Sequence, residues 1–206
     1  MKKFFLMFFL ILFCSLAFFG EKISFNADYM YGSVGNSNEK TILERNATIS
    51  TDSFRITANF IELEGDNYRY VTASGYVSGN SKKSGFDFWC DKLFYDRETK
   101  LVYFEGNVTL KDTTEDVEAH SQLMEYDLNT EIALLQVNVT LNKNQNKGSG
   151  ALAVYKKNEK TVDLTGNPKI VRGEDIFTAQ KITLNIETEE IILDGKVSGN
   201  VKSGEN

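Results

Sequence analysis

A chain of 206 residues with a formal charge of −6 and a single proline is long enough for one domain with a continuous core. The negative sign opposes binding to a phosphate backbone and no basic stripe compensates for it, so nucleic acid is excluded as a partner. One histidine and two cysteines supply neither a metal-ligand cluster nor a disulfide framework.

Met1-Lys2-Lys3 followed by the apolar or small residues 4–19 has the charged start and hydrophobic run of an export signal. Ser15-Leu16-Ala17 offers a small-x-small cleavage site. Retention of the run as a membrane anchor and lipidation at Cys14 stay open as alternatives, and all three fates carry the body across the membrane. Loss of Lys2 and Lys3 with the leader takes the formal charge from −6 to −8. Residues 1–20 are thus read as a leader, 21–201 as one domain and 202–206 as a polar tail, with about 185 residues left to fold.

From residue 41 to 201 the chain repeats a unit whose clearest copy is residues 90–110. Val102, Phe104, Val108 and Leu110 share one face, and Tyr103, Glu105, Asn107 and Thr109 the other; this period of two predicts a half-buried strand. Residues 90–95 predict another short strand, and Asp96-Arg97-Glu98-Thr99-Lys100 a turn between them. The glycine of the unit falls at Gly75, Gly106, Gly166 and Gly195, with Val137 in the remaining slot, at spacings of 31, 31, 29 and 29 residues. A second sub-pattern keeps step: Ala58/Ile61/Leu63, Cys90/Leu93/Tyr95, Ser121/Met124/Tyr126, Gly150/Ala153/Tyr155 and Ala179/Ile182/Leu184. Residues 45–49 are a worn copy of residues 106–110. A fixed period of about 30 residues marks a wound or stacked architecture, here an all-β one made of β-hairpin units.

Within each unit the phase changes once. Ile56/Ala58 and Ile61/Leu63 lie on opposite parities, as do Phe88/Cys90 and Leu93/Tyr95, and Phe177/Ala179 and Ile182/Leu184. A one-residue slip turns every side chain over, so the strand has to bend there to keep both halves facing inward. The sequence therefore predicts a built-in corner and a rolled, two-layer sheet. The glycines at 75, 106, 166 and 195 fall on the inward parity, where a backbone or ligand can approach closely. The polar run 142–150 is expected to be an exposed loop, the longest interruption in the pattern.

Ala27-Asp28, Cys90-Asp91-Lys92-Leu93-Phe94-Tyr95, Gly106-Asn107-Val108-Thr109-Leu110, Asn138-Val139-Thr140-Leu141 and Gly195-Lys196-Val197 resemble the repeated A-D-x-x-x-Y and G-N-V-x-L pattern of the LptA/OstA family, periplasmic carriers of lipopolysaccharide in Gram-negative bacteria. The resemblance runs from about Ile23 to Val201, and departs from the pattern at Val137, Pro168 and the worn first unit. It implies an antiparallel β-jellyroll, open along its length, whose interior takes up acyl chains of lipopolysaccharide or a similar glycolipid. It also implies docking with LptC-like and LptD-like rolls, and with further copies of the chain, by edge-strand addition.

A twelve-carbon chain left in water costs on the order of 8–10 kcal/mol, at about 0.8 kcal/mol per methylene, so such a carrier needs a lined trough. The inward parity supplies candidates for lipid binding: Val71, Ala73, Val77; Val102, Phe104, Val108, Leu110; Ala133, Leu135, Val139, Leu141; Val162, Leu164, Ile170; Ile191, Leu193, Val197. Periodicity gives the same residues for the wall of a trough and for a packed core. The first strand (residues 23–31) and the last (191–201) are expected to leave open edges, with Glu187, Glu189 and Glu190 placed to blunt the last one or steer a partner.

No GxSxG, phosphate loop or CxxC occurs, and the chain reads as no enzyme, with no cofactor and no metal. Cys90 sits where other copies carry Ala or Ser and reads as a small buried hydrophobe; His120 reads as a lone surface or core residue. Asp112, Glu115 and Asp116 read as a solvated turn rather than a calcium site. Two alternatives to the soluble carrier remain: a membrane-anchored LptC-like adaptor, and an exported β-solenoid acting as an adhesin or polysaccharide binder.

Overall fold

The computed structural model describes residues 22–33 and 40–202; the expected leader and the tail beyond 202 lie outside the described residues. Period-two alternation becomes strand almost throughout. The strands are β1 (Ser24–Asn26), β2 (Tyr29–Ser33), β3 (Lys40–Ser50), β4 (Phe54–Glu64), β5 (Tyr70–Ser81), β6 (Phe86–Asp96), β7 (Leu101–Asp112) and β8 (Val117–Asp127). They continue with β9 (Ile132–Lys143), β10 (Asn146–Lys156), β11 (Thr161–Thr165), β12 (Lys169–Arg172), β13 (Asp175–Thr178), β14 (Lys181–Asn185), β15 (Ile191–Asp194) and β16 (Ser198–Asn200). All pair antiparallel in one 16-stranded sheet that does not close on itself among the described residues.

The predicted corner is present in every long strand. Register shifts fall between Glu44 and Ala47, Ser74 and Val77, Glu105 and Val108, and Gly150 and Leu152. On one strand of each pair two successive residues have positive φ: Arg45-Asn46, Gly75-Tyr76, Gly106-Asn107, Val137-Asn138, Gly166-Asn167 and Gly195-Lys196. The left-handed pair bends its own strand without changing parity, as Val102, Phe104, Val108 and Leu110 show, while the partner strand slips by one residue, as between Ala58 and Ile61 or Cys90 and Leu93, so both strands keep an inward face on each side of the bend. Near the end of the chain the bend becomes a break, and β11/β12, β13/β14 and β15/β16 are the two halves of single strands.

The bends line up as a ridge, and the sheet folds along it into two layers. Layer one holds β2, β11, β14, β15 and the strand halves 40–44, 60–64, 70–74, 92–96, 101–105, 123–127, 132–136 and 152–156. Layer two holds β1, β12, β13, β16 and the remaining halves. Ring contacts prove the folding. Phe88 pairs with Leu110 in the sheet, six residues from Phe104, which in a flat sheet means about 20 Å; yet the Phe88 and Phe104 centroids are 5.0 Å apart. The result is an antiparallel β-jellyroll, the rolled two-layer sheet expected from the repeat.

Two expectations need correction. The glycines of the repeat do not face inward. They stand on the convex outer side of the ridge, where a Cβ at Gly106 would lie 2.3 Å from Asp91 Oδ2 and one at Gly166 2.5 Å from Ala151 Cβ. What approaches closely there is the neighbouring strand's exposed corner side chain, and the left-handed φ (+77° at Gly106, +72° at Gly166) makes glycine doubly suitable. The run 142–150 is not a loop: only Asn144 and Gln145 interrupt β9 and β10. Its polar composition hid a strand that pairs on both sides, with β9 and with β12, and Gly148 faces a layer-one side chain so closely that a Cβ would sit 2.8 Å from Leu164 Cδ1.

Candidate functional site

The space between the layers is the candidate site, and the inward parity builds it. Val71, Ala73, Val77, Val102, Phe104, Val108, Leu110, Ala133, Leu135, Val139, Leu141, Val162, Leu164 and Ile170 are all buried, at 2% exposure or less. Ile191 and Leu193 are half-buried and pack against this core from the last strands. Val197 does not join it: at 56% exposure it lies past the last layer-one strand, where none of the described residues covers it. The lining extends beyond the residues expected from the sequence, since Ile61, Leu63, Leu93, Tyr95, Met124 and Tyr126 on layer one are buried beside them.

In its middle the interior is filled by its own side chains rather than held ajar. Rings from opposite layers meet edge to face: Phe54 with Tyr95 at 5.4 Å, Phe86 with Tyr126 at 4.8 Å, and Phe88 with Phe104 at 5.0 Å. Each such pair contributes about 0.5–1.5 kcal/mol beyond its buried area. Toward both ends the filling thins. Residues paired across strands face the same side, so Phe25 (opposite Ile49) and Met30 (opposite Leu43) are the inward residues of the first edge, and they are 41% and 50% exposed. At the other edge Phe177, Ile191 and Leu193 are inward and half-buried. The apolar interior therefore reaches solvent at two mouths, one at each end of the roll.

Opposite the ridge, the hairpin turns of the two layers face each other along a seam. On layer one the turns stack through backbone bonds: Arg97 N donates to Arg69 O, Leu128 N to Lys100 O, Lys157 N to Glu131 O and Ile186 N to Lys160 O. Asp96, Asp127 and Asn185 each accept two turn amides, the reason an Asx residue opens these turns. Asp96 is also paired bidentately with Arg69, through Nε at 3.0 Å and Nη2 at 2.7 Å. The Arg69 guanidinium, helped by the Glu98 and Thr99 amides, holds the Asp96 carboxyl down at about 2.

Among the described residues, polar latches join the layers across the seam at three places. Lys83 Nζ donates to Leu128 O at 2.7 Å, and Ser84 Oγ to Glu131 Oε1 at 3.2 Å. The fully buried Asp112 accepts from Tyr155 Oη at 3.0 Å and from the Lys157 ammonium, and burial with this carboxylate alongside pushes the Tyr155 phenol up. Glu189 accepts from Asn144 and from Asn146 Nδ2 at 3.2 Å, while Arg172 donates to the Glu189 carbonyl. Asp112 is therefore no solvated turn residue, and Glu189 is committed inside the molecule rather than offered to a partner. Parity was the signal for Asp112, which continues the inward series of β7 after Val108 and Leu110.

Burial, then the Asp91 charge, pushes the Cys90 thiol up to about 12, so it stays protonated at neutral pH. His120 lies on the outer face of layer two between Thr109 Oγ1 and Glu118 Oε1, each at 3.0 Å. Among the described residues no group of three or more His, Cys, Asp or Glu is placed to hold a metal, and no helix is long and apolar enough to cross a membrane.

The family described as LptA/(LptD N-terminal domain) LPS transport protein matches residues 32–190, most of the chain. No curated protein matches it. Among solved structures the chain is similar to LptH, the LptA-homologous periplasmic component of the lipopolysaccharide transport device of Pseudomonas aeruginosa. The identity is 12%, the TM-score 0.28, and the alignment covers 89% of this chain and 96% of that one.

Proposed function

This chain belongs to the LptA/LptD N-terminal-domain family of LPS transport proteins, and from that premise we propose that it is a periplasmic bridge protein carrying lipopolysaccharide or a similar glycolipid between the membranes. One observation supports this above the rest: the apolar interior is continuous from an open mouth at Phe25 and Met30 to another at Phe177, Ile191 and Leu193. The acyl chains travel between the layers, against the side chains proposed from the sequence for lipid binding. A closed middle does not forbid this. Covering a twelve-carbon chain yields on the order of 8–10 kcal/mol, whereas parting three ring pairs forfeits only about 1.5–4.5 kcal/mol, because the rings stay covered by the incoming chain.

Bridging follows from the edges. Among the described residues no strand covers the outer side of β1 and β2 or of β15 and β16, so each end of the roll offers backbone groups for strand addition by another roll. Exposed Tyr29 and Tyr31 flank one such edge, and exposed Ile192 and Val201 the other. Deletion of residues 191–206 is expected to abolish head-to-tail self-association in light scattering; unchanged association would remove the edge model. For the cargo, a photocrosslinking residue at Phe104 or Leu135 is expected to capture glycolipid in cells. Capture confined to outward Tyr103 or Glu105 would count against an interior path.

A further inference from the structure

The outer face of layer one carries a hollow that neither the interior nor the edges use. It measures about 450 Å³, within the range of small-ligand sites. Phe94 on β6, Tyr103 on β7 and Leu123 on β8 line it and are 38%, 42% and 41% exposed. The rings belong to a row. Tyr70 stacks on Phe94 with centroids 5.8 Å and planes 23° apart, and Tyr103 follows on the other side at 6.2 Å. The Arg69 guanidinium caps the row 4.9 Å from the Tyr70 centroid. Beyond Tyr103 the register places Glu125, so the row ends there. Around the apolar floor stand Lys92 and Glu105, a loose pair 3.9 Å apart with both side chains well exposed, and Glu125.

The chemistry of the rim selects the occupant. Two carboxylates against one ammonium repel a phosphorylated headgroup. A charged rim on both sides of so small an apolar floor also suits an acyl chain poorly. A neutral sugar ring meets every part: its C–H face lies on an aromatic ring, its neighbouring hydroxyls donate to the carboxylates, and they accept from the ammonium. The location agrees, since Tyr70 pairs with Asp96 at the layer-one turn bordering the seam. The ring row thus leads from the seam onto the outer face, where the polar part of a glycolipid remains while its acyl chains lie between the layers.

We propose that the hollow at Phe94, Tyr103 and Leu123 is a saccharide subsite that takes neutral hexose rings of the cargo's sugar portion. The proposal rests on the glycolipid-carrier reading. To test it, the protein purified from its host is titrated with the dephosphorylated sugar portion of the host's own outer-membrane glycolipid, and backbone amide shifts are followed. Binding is expected to move amides of residues 92–94, 103–105 and 123–125. Tyr103→Ala is expected to weaken it about ten-fold, whereas Tyr103→Phe and Tyr76→Ala, the latter a ridge ring 88% exposed, leave it unchanged. Absence of binding, equal binding by Tyr103→Ala, competition by inorganic phosphate, or contact of these residues with a second copy in place of sugar would each overturn the proposal. Lipid capture from Phe104 is read in parallel. Capture retained with sugar binding absent rejects the subsite alone, and capture lost rejects the carrier reading.

Discussion

At the ridge the long strands pass from one layer to the other through their own backbone, whereas at the seam, among the described residues, the layers are joined through side-chain donors such as Lys83, Ser84, Tyr155 and Arg172. The ridge is built from repeated local chemistry: a left-handed pair, and a polar clasp in which Asn107 Nδ2 donates to Asp91 Oδ2 at 2.9 Å and Asn46 Nδ2 to Asp28 Oδ2 at 2.7 Å. The seam uses a different set of residues at each latch, and no two latches share a motif. Among the described residues no strand pairing crosses the seam, so parting the layers there would break side-chain contacts and leave the ridge as a hinge.

The largest expected effect lies at the seam. Asp112→Ala leaves the Lys157 ammonium and the Tyr155 hydroxyl without their buried acceptor, and is expected to cost about 3–4 kcal/mol in urea unfolding. A loss below about 1 kcal/mol would mean that the latch does not hold the layers.

At the ridge, Gly106→Ala forces a Cβ into a left-handed residue and against Asp91. The expected loss is about 2–3 kcal/mol, with register and lipid capture unchanged if the ridge is only a hinge.

How far each region was legible in the sequence follows the same division. The glycine and asparagine of the ridge recur, so their spacing, the phase slip and the two layers could be read before any coordinates. The reading failed where a residue's role depends on the opposite layer. Asn146 is buried and bonded to Glu189 and Arg172, yet in sequence it is one more polar residue in what looked like a loop. Glu189 looked free for a partner for the same reason. Whether the layers close is set by how Phe54, Phe86 and Phe88 fill the gap, and period two is silent on that. Val197 failed because the end of the roll leaves a residue of inward parity uncovered.

Acid offers a milder probe of the seam border. Asp96 titrates from an ordinary value of 3.8 down to about 2 because of Arg69 and the turn amides. A depressed carboxylate contributes stability above the unfolded pKa and loses it as pH falls through the folded one. About 2 kcal/mol should therefore be lost between pH 4 and pH 2, and an Asp96→Asn variant should show a shallower decline over that window. An identical decline in both would place the acid sensitivity elsewhere. The smallest expected change has the opposite sign. Val137 occupies the glycine slot with φ 65°, so Val137→Gly relieves a left-handed β-branched residue and should raise stability by about 1 kcal/mol, net of the added chain entropy. Unaltered or lowered stability would show that the slot does not strain valine.

The most direct test of the account closes the seam covalently and asks whether lipid still enters. Ser84→Cys and Glu131→Cys, whose native side chains already touch across the seam, are joined by a short bis-maleimide in protein carrying a photocrosslinking residue at Phe104. The account predicts glycolipid capture from the open form and its loss on stapling, with a control that carries only one of the two cysteines behaving as unstapled. Undiminished capture by the stapled protein would contradict entry between the layers through a parting seam.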